Sequence, residues 1–327
     1  MGLERVLDLG YQPLCNEFLP ADEAPKPQTF YPLCLCFCHK CSLAQLDYVM
    51  PTEIAFGNQY TYLTGSSQSL IQYYSDLAKK LTSEFNLKSG DTVIEIGSND
   101  GTFLKAFSDL GINVIGVDGA QQSSNIAVAN GIRVIPEFFG RGSADTIKKE
   151  IPSESRVALI LAMNVLAHTE QVNEFLDELT TLMDPETVMV SSSHWLVSLI
   201  NNFEFDTIYH EHLRYYSLTS LTRLFESHNL TISHAEITDF YGGSVLTYAT
   251  VSRGNQSENV QDILSIEADT DIIQSLRNMN KVLLKNRAEF LNLLVGLQND
   301  NKQVAGIGAP MKASTLLNFY GVTSDLV

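Results

Sequence analysis

The chain has 327 residues, with 38 acidic against 21 basic side chains and a net charge of −17, which excludes a surface built to hold nucleic acid or anionic lipid. Hydrophobic residues at 44% and charged ones at 18% supply a buried core and exclude a largely disordered chain. No apolar run is long enough to cross a bilayer, and the opening MGLERVLDLG lacks the basic and apolar regions of a secretory leader, so a cytoplasmic protein is expected.

In chain order, the stretch from Gly2 to about Gly57 has little periodicity and much proline, and reads as a small separate module over residues 1–57. It carries all five cysteines, Cys15, Cys34, Cys36, Cys38 and Cys41. Clustering without a leader favours metal over disulfides. Cys38 and Cys41 form one C-x-x-C pair, half of a tetrahedral zinc site; Cys15, Cys34, Cys36 and His39 are candidates for the rest, and thiols without metal are the alternative.

The pattern turns helical from Leu70 to Phe85. Strands are expected near 92–97, 113–118, 131–135, 156–162 and 187–193 with helices between, which makes a doubly wound parallel α/β sheet over residues 58–255. A helix near Ser217 to His228 leads to two more strands, near 231–237 and 244–251, joined by the Tyr241-Gly242-Gly243 turn. Residues 256–300 hold a long helical pattern, with Leu276, Met279, Leu283, Phe290, Leu294 and Leu297 along one side; it reads equally as a linker helix or a core helix. From 301 to 327, a strand-like Gln303 to Ile307 and a helix-like Lys312 to Tyr320 read as the start of a second Rossmann-like unit.

The segment VIEIGSNDGTFL, Val93 to Leu104, joins an apolar strand to a glycine turn and a helix. Gly97 and Gly101 let the backbone pass close to a ligand. The turn is not the G-x-G-x-x-G of dinucleotide sites. It suits a cofactor ending in an amino acid, with Asp100 and backbone groups meeting the ammonium and carboxylate, and S-adenosylmethionine fits that description. Asp118, at the end of the next expected strand, is placed either to accept both hydroxyls of a ribose or to cap the following helix.

The densest titratable cluster runs from Phe205 to Tyr216 and includes Tyr209, His210, Glu211 and His212. Histidine is suited to remove a proton near neutral pH, with His212 oriented by Glu211 or Tyr209. On an extended backbone His210 and His212 share a face, which is also how two metal ligands are presented; simple loop hydrogen bonding is the third reading. His168 occupies another expected carboxyl-end loop and is placed to hydrogen-bond a substrate carbonyl or to lie at the surface. Tyr60 and Tyr62 precede the domain and can close over a substrate or pack in the core, and His194 and Trp195 suggest no role.

Taken together, LDLGYQPLCNEFLP (7–20), CHKCSLAQL (38–46), EIGSNDGTFLKAF (95–107), GVDGA (116–120), NVLAH (164–168), EFDTIYHEHLRYYSL (204–218), GGS (242–244) and GIGAPMKASTLLN (306–318) resemble the sugar C-methyltransferase family. Such enzymes methylate nucleotide-linked keto-deoxysugars on carbon with S-adenosylmethionine. The resemblance implies a seven-stranded class I methyltransferase sheet between an N-terminal zinc module and a C-terminal nucleotide-binding domain. It implies His212 as base, with Tyr209, Glu211, His168 and Tyr62 around the sugar. Glu95, Gly97, Asn99, Asp100, Gly101, Asp118 and Asn164 are expected around the cofactor. The family's first C-x-x-C falls ahead of Leu7, where Met1 stands, and its C-terminal domain runs past Val327, so both outer parts are expected to be cut short. Ser191 to His194 and Tyr241 depart from the family pattern and point to a different substrate preference. Methylation of oxygen or nitrogen, or cofactor binding without turnover, are the other readings. The nucleotide, the sugar and the oligomeric state are not legible.

Overall fold

The computed structural model describes residues 2–16, 27–55, 62–252, 254–308 and 310–327; Tyr60 lies outside the described residues. The elements in order are β1 (Leu3–Gln12), β2 (Tyr31–Cys38), β3 (Ala44–Leu46), α1 (Thr52–Ala55), α2 (Gln68–Glu84), β4 (Thr92–Ile96), α3 (Thr102–Asp109), β5 (Asn113–Val117), α4 (Gln121–Ala129), β6 (Val134–Ile135) and α5 (Ser143–Glu150). There follow β7 (Val157–Met163), α6 (Val172–Thr180), β8 (Val188–His194), α7 (Leu196–Asn201), β9 (Arg214–Tyr215), α8 (Leu218–Glu226), β10 (Thr231–Thr238), β11 (Ser244–Thr250), α9 (Glu258–Asp269), α10 (Ile272–Asn299) and α11 (Met311–Tyr320).

Seven strands form the main sheet in the order β10-β11-β8-β7-β4-β5-β6, with β11 antiparallel to β8 and to β10. β4 and β7 are buried along their whole length, as central parallel strands covered on both faces must be, and this is why they read as continuous apolar runs. Helix α2 buries Leu70, Tyr74, Leu77, Ala78 and Leu81, one stripe at helical spacing, against α3, where the Tyr74 and Phe103 rings lie 4.5 Å apart. From β4 the chain winds first to β5 on one side and later to β7 on the other. The crevice outside the carboxyl ends of these strands is where a doubly wound sheet holds its ligand.

The N-terminal strands share a sheet and a core with the rest of the chain. β1, β2 and β3 make an antiparallel sheet whose fourth strand is β9, contributed by the segment that follows the histidine cluster. Leu7, Leu35 and Phe37 share one core with Leu199, Phe205 and Tyr215 from the main domain and with Leu276, Met279 and Leu283 of α10. A three-stranded sheet with one apolar face cannot bury that face alone, so it closes on the neighbouring domain. The long helical pattern of 256–300 is broken into α9 and α10, and α10 is a core helix on one side. Residues 302–308 form no strand: Ile307 is fully exposed and no neighbour offers a ladder. Among the described residues no helix is long and apolar enough to cross a membrane.

Trp195 and Glu267 explain how β8 is tied to α8 and α9. The indole N–H donates to Glu267 Oε1 at 2.6 Å, and the carboxylate also accepts from the backbone N–H groups of Leu218 and Thr219 at 2.6 and 2.8 Å. Glu267 thereby caps α8 from a distance, beside the Ser217 capping box.

Candidate active site

A cleft of about 800 Å³ opens at the carboxyl ends of β4, β5, β7 and β8. Its first wall is the turn after β4. Gly97 has φ +71°, and a Cβ there would stand 2.6 Å from Val165, so no side chain is tolerated. Gly97, Asn99, Asp118 and Asn164 line the cleft, while Glu95, Asp100 and Gly101 are set behind it. Asp118 accepts from the backbone N–H groups of Asn99 and Ala120, each at 2.8 Å, which holds the turn against the end of β5. The same carboxylate faces the cleft, and it is Ala120, not Asp118, that stands at the N-cap of α4.

Asp100 Oδ2 accepts from Gly65 N at 2.7 Å and its Oδ1 from the Thr102 hydroxyl at 2.6 Å, so it fastens the 62–66 segment and the start of α3. Asn99 does the same from the cleft side, accepting from Thr64 N and donating to Tyr62 O. Glu95 is buried, its Oε2 has no hydrogen-bond partner among the described residues, and burial together with the Asp118 and Asp100 charges pushes its carboxyl well above the usual range. Burial also raises Asp118.

The second wall carries the histidines. His212 Nδ1 lies 2.9 Å from the Thr207 carbonyl and Nε2 lies 3.0 Å from the Tyr209 hydroxyl. A carbonyl only accepts, so Nδ1 holds the hydrogen and Nε2 is the basic atom. His168 stacks edge-on at 4.8 Å and donates through Nδ1 to the Glu211 carbonyl at 2.8 Å. Burial pushes His212 well below the usual histidine range, with His168 adding to the effect, and burial takes His168 down to about 4. Both rings are neutral near pH 7. In this tautomer His168 Nε2 is an acceptor, so His168 is arranged to receive a hydrogen bond, not to give one to a substrate carbonyl.

Glu211 does not orient His212. Its carboxylate turns toward the N-terminal residues and accepts from Asn16 Nδ2 and, at 3.5 Å, from the Cys15 thiol. Burial pushes it up to about 7, opposed by Asn16 and Cys15. Nor do His210 and His212 share a face. The backbone turns at this point, with His212 N donating to Tyr209 O at 2.9 Å, and His210 Nε2 instead approaches the Pro32 carbonyl at 3.2 Å. That removes the paired-metal reading. Opposite, the Tyr62 and Tyr241 hydroxyls lie 2.8 Å apart, both kept protonated by burial. Of the predicted catalytic set, His212, Tyr209, His168, Glu211 and Tyr62 therefore all line one cleft. Sequence reasoning missed the Thr207 carbonyl and Asn16. A polar Asn16 amid apolar and proline residues was the available signal for one of them.

For zinc the fit is partial. Cys38 and Cys41 face each other across the β2–β3 turn: hydrogen bonds from Cys41 lower the Cys38 thiol, and burial raises Cys41. Cys34, Cys36 and Asp47 form another cluster, their ligand atoms within 4.8 Å of one another, but Arg5 holds Asp47 at 2.9 Å and its charge opposes a cation. Among the described residues nothing completes Cys38 and Cys41 to four ligands.

The strand order, the glycine turn after the first parallel strand and the histidine-walled cleft define a class I methyltransferase that uses S-adenosylmethionine. Family models agree: a methyltransferase domain matches residues 69–235, a zinc binding domain family matches 1–56, and a C-methyltransferase C-terminal domain matches 239–327. All three expected parts are thus matched, the outer two included. The C-methyltransferase NovU of Streptomyces niveus is 32% identical over 322 residues, covering 97% of this chain and 76% of that protein. A ubiquinone biosynthesis O-methyltransferase of Rhodopseudomonas palustris (strain HaA2) is 33% identical over 102 residues, 31% of this chain and 39% of that one. Among solved structures, the magnesium protoporphyrin IX methyltransferase of Synechocystis PCC 6803 with bound SAH aligns at a TM-score of 0.41 and 15% identity, over 56% of this chain and 83% of that one. The chain belongs to the C-methyltransferase family.

Proposed function

We propose that the chain methylates a carbon next to the keto group of a nucleotide-linked deoxysugar, by way of an enolate. The observation that carries this reading is the His212 geometry: a neutral ring, held through Nδ1–H by Thr207, with its basic Nε2 paired to the Tyr209 hydroxyl inside the cleft. A hydroxyl substrate needs only deprotonation at oxygen, whereas a carbon acid also needs a donor ready for the oxygen that becomes charged. Tyr209 supplies that donor. In the empty cleft the Tyr209 hydroxyl donates to Nε2; with substrate bound it turns its hydrogen to the keto oxygen, which frees the Nε2 lone pair to take the α-proton, and the protonated Nε2 then donates to the tyrosine oxygen.

The electrons of the C–H bond move to the carbonyl oxygen as the proton passes to His212 Nε2, which leaves a nucleophilic enolate carbon facing the cofactor wall. Bound S-adenosylmethionine supplies the electrophilic methyl and a neutral leaving group. Gly97, Asn99, Asp118 and Asn164 are the wall positioned to hold it, with Glu95 and Asp100 bracing from behind. Lys312, from α11, adds a cation to the cleft rim for the phosphates of a nucleotide.

The test is hydrogen–deuterium exchange at the sugar carbon, followed by NMR in deuterated water without cofactor. Exchange by the intact chain that is lost in His212→Ala supports a carbon acid and its base. No exchange, with methyl transferred to oxygen or nitrogen on adding cofactor, overturns the enolate route.

A further inference from the structure

The loop between β7 and α6 is fastened to the histidine segment over five consecutive residues, Leu166 to Glu170. The Tyr216 hydroxyl donates to Leu166 O at 3.3 Å, Leu213 N donates to Ala167 O at 2.8 Å, and His168 Nδ1 donates to Glu211 O at 2.8 Å. Arg214 takes the last two: Nη1 donates to Thr169 O, and Nη2 donates to Glu170 O at 3.0 Å. Only Arg214 grips two carbonyls at once. Its planar fork suits the task, since both bonds leave one rigid group. The partners are backbone carbonyls and not carboxylates, so this contact is unlike the exposed ion pairs that contribute little.

Arg214 bridges three parts of the molecule. Its backbone pairs with Gln45 of β3 in the N-terminal sheet, while its side chain lines the cleft and reaches the loop that carries His168. The near end of that loop is Asn164, on the cofactor wall, with Asn164 N tied to Ser192 O at 2.9 Å. Its far end is open, since Glu170 is exposed, and there water can replace a lost donor without unfolding the chain. We propose that Arg214 is a positioning residue of the active site: by gripping Thr169 and Glu170 it holds the His168 ring edge-on to His212 and so fixes the wall against which the substrate lies. It touches no reacting atom and acts through His168.

The inference rests on the keto-sugar reading for the role of that wall, and the experiment separates the two. The His168 ring faces His212 and the Glu211 carbonyl, and burial keeps it neutral. A loosened loop admits water to the ring, which raises its proton affinity toward the ordinary histidine range. The variants are Arg214→Met, which keeps the stem and loses every donor, and Arg214→Lys, which keeps the charge but cannot span two carbonyls. NMR follows the His168 ring, assigned by its loss in His168→Gln, and calorimetry with S-adenosylhomocysteine reports folding and the cofactor pocket. In Arg214→Met the His168 titration is expected to move up by about one pH unit or more, with affinity for S-adenosylhomocysteine within about 3-fold of the intact chain. Deuterium exchange at the carbon of thymidine diphosphate-linked 4-keto-6-deoxyglucose slows by about 10-fold or more, as misplacement of a site wall does. Arg214→Lys shows a smaller shift in the same direction and a smaller loss of exchange. An unchanged titration, exchange equal to that of the intact chain, or a shift absent from Arg214→Lys, which traces to lost charge alone, overturns the positioning role. So does a loss of cofactor affinity in proportion to the loss of exchange, which marks a brace for the fold. An intact chain that exchanges nothing while the His168 titration still moves in both variants overturns the keto-sugar reading and leaves the hold on His168 intact.

Discussion

The Tyr209 hydroxyl lies 3.0 Å from Nε2 of His212, the one nitrogen of that ring without a hydrogen. On the proposed enolate route His212 is the base and Tyr209 the donor, and the two are expected to fail differently when removed. His212→Ala is expected to lower kcat by about 10²–10⁴-fold with the affinity for S-adenosylmethionine unchanged. Tyr209→Phe keeps the base but loses the donor, and is expected to cost about 10²-fold in methyl transfer while exchange at the substrate carbon survives in part. Equal loss of both reactions in Tyr209→Phe would count against the donor role.

Glu211 and the histidines titrate in opposite senses. His168, lowered to about 4, binds its proton more weakly folded than unfolded, so stability is whole above the ordinary histidine range and declines as pH falls toward 4. Glu211, raised to about 7, is the reverse: its contribution is present below the ordinary carboxylate range and is lost as pH rises through 7. Glu211→Gln should therefore flatten the alkaline side of a denaturation profile measured between pH 5 and pH 9. The gain at pH 8 is on the order of 2–3 kcal/mol relative to pH 5, and a parallel displacement of the whole curve would argue against a buried, raised carboxyl.

Gly97→Ala adds a Cβ 2.6 Å from Val165 to a residue at φ +71°. Both the clash and the left-handed backbone disfavour the change, and the turn must shift. Affinity for S-adenosylmethionine should fall by about 10-fold or more, read by calorimetry, with the far-ultraviolet dichroism of the sheet and helices preserved.

Glu267→Ala removes a buried acceptor for the Trp195 indole and for two backbone N–H groups of α8. It lies outside the cleft wall. Expected is a loss of about 2–4 kcal/mol in urea denaturation, with kcat little changed in the protein that remains folded. A neutral outcome would mean that water replaces the carboxylate as a cap.

The parts of the fold that the sequence exposes are those governed by local rules. β4 and β7 show as apolar runs because they are buried on both faces, and the Gly97 turn shows because only glycine fits there. Side-chain direction in the histidine segment did not show, because the turn from Tyr209 to His212 cancels the alternation an extended strand would impose. That is why Glu211 faces Asn16 and not His212. The partnership of β3 with the two-residue β9 is non-local and too short to leave a pattern. Gln303 to Ile307 has the right residues for a strand and no neighbour to pair with. Cys38 and Cys41 were legible as a pair, and the structure adds no further ligand among the described residues.

The ladder between β3 and β9 begins two residues after His212, so the histidine proposed as base hangs from a seam between the N-terminal strands and the main domain. One consequence concerns engineering. Exchanging the first fifty residues for those of a relative would not be a neutral graft: unless the new piece reproduces the hem against Arg214 and Tyr215, and brings an amide to Glu211, the hybrid would retain its cofactor and lose its proton chemistry.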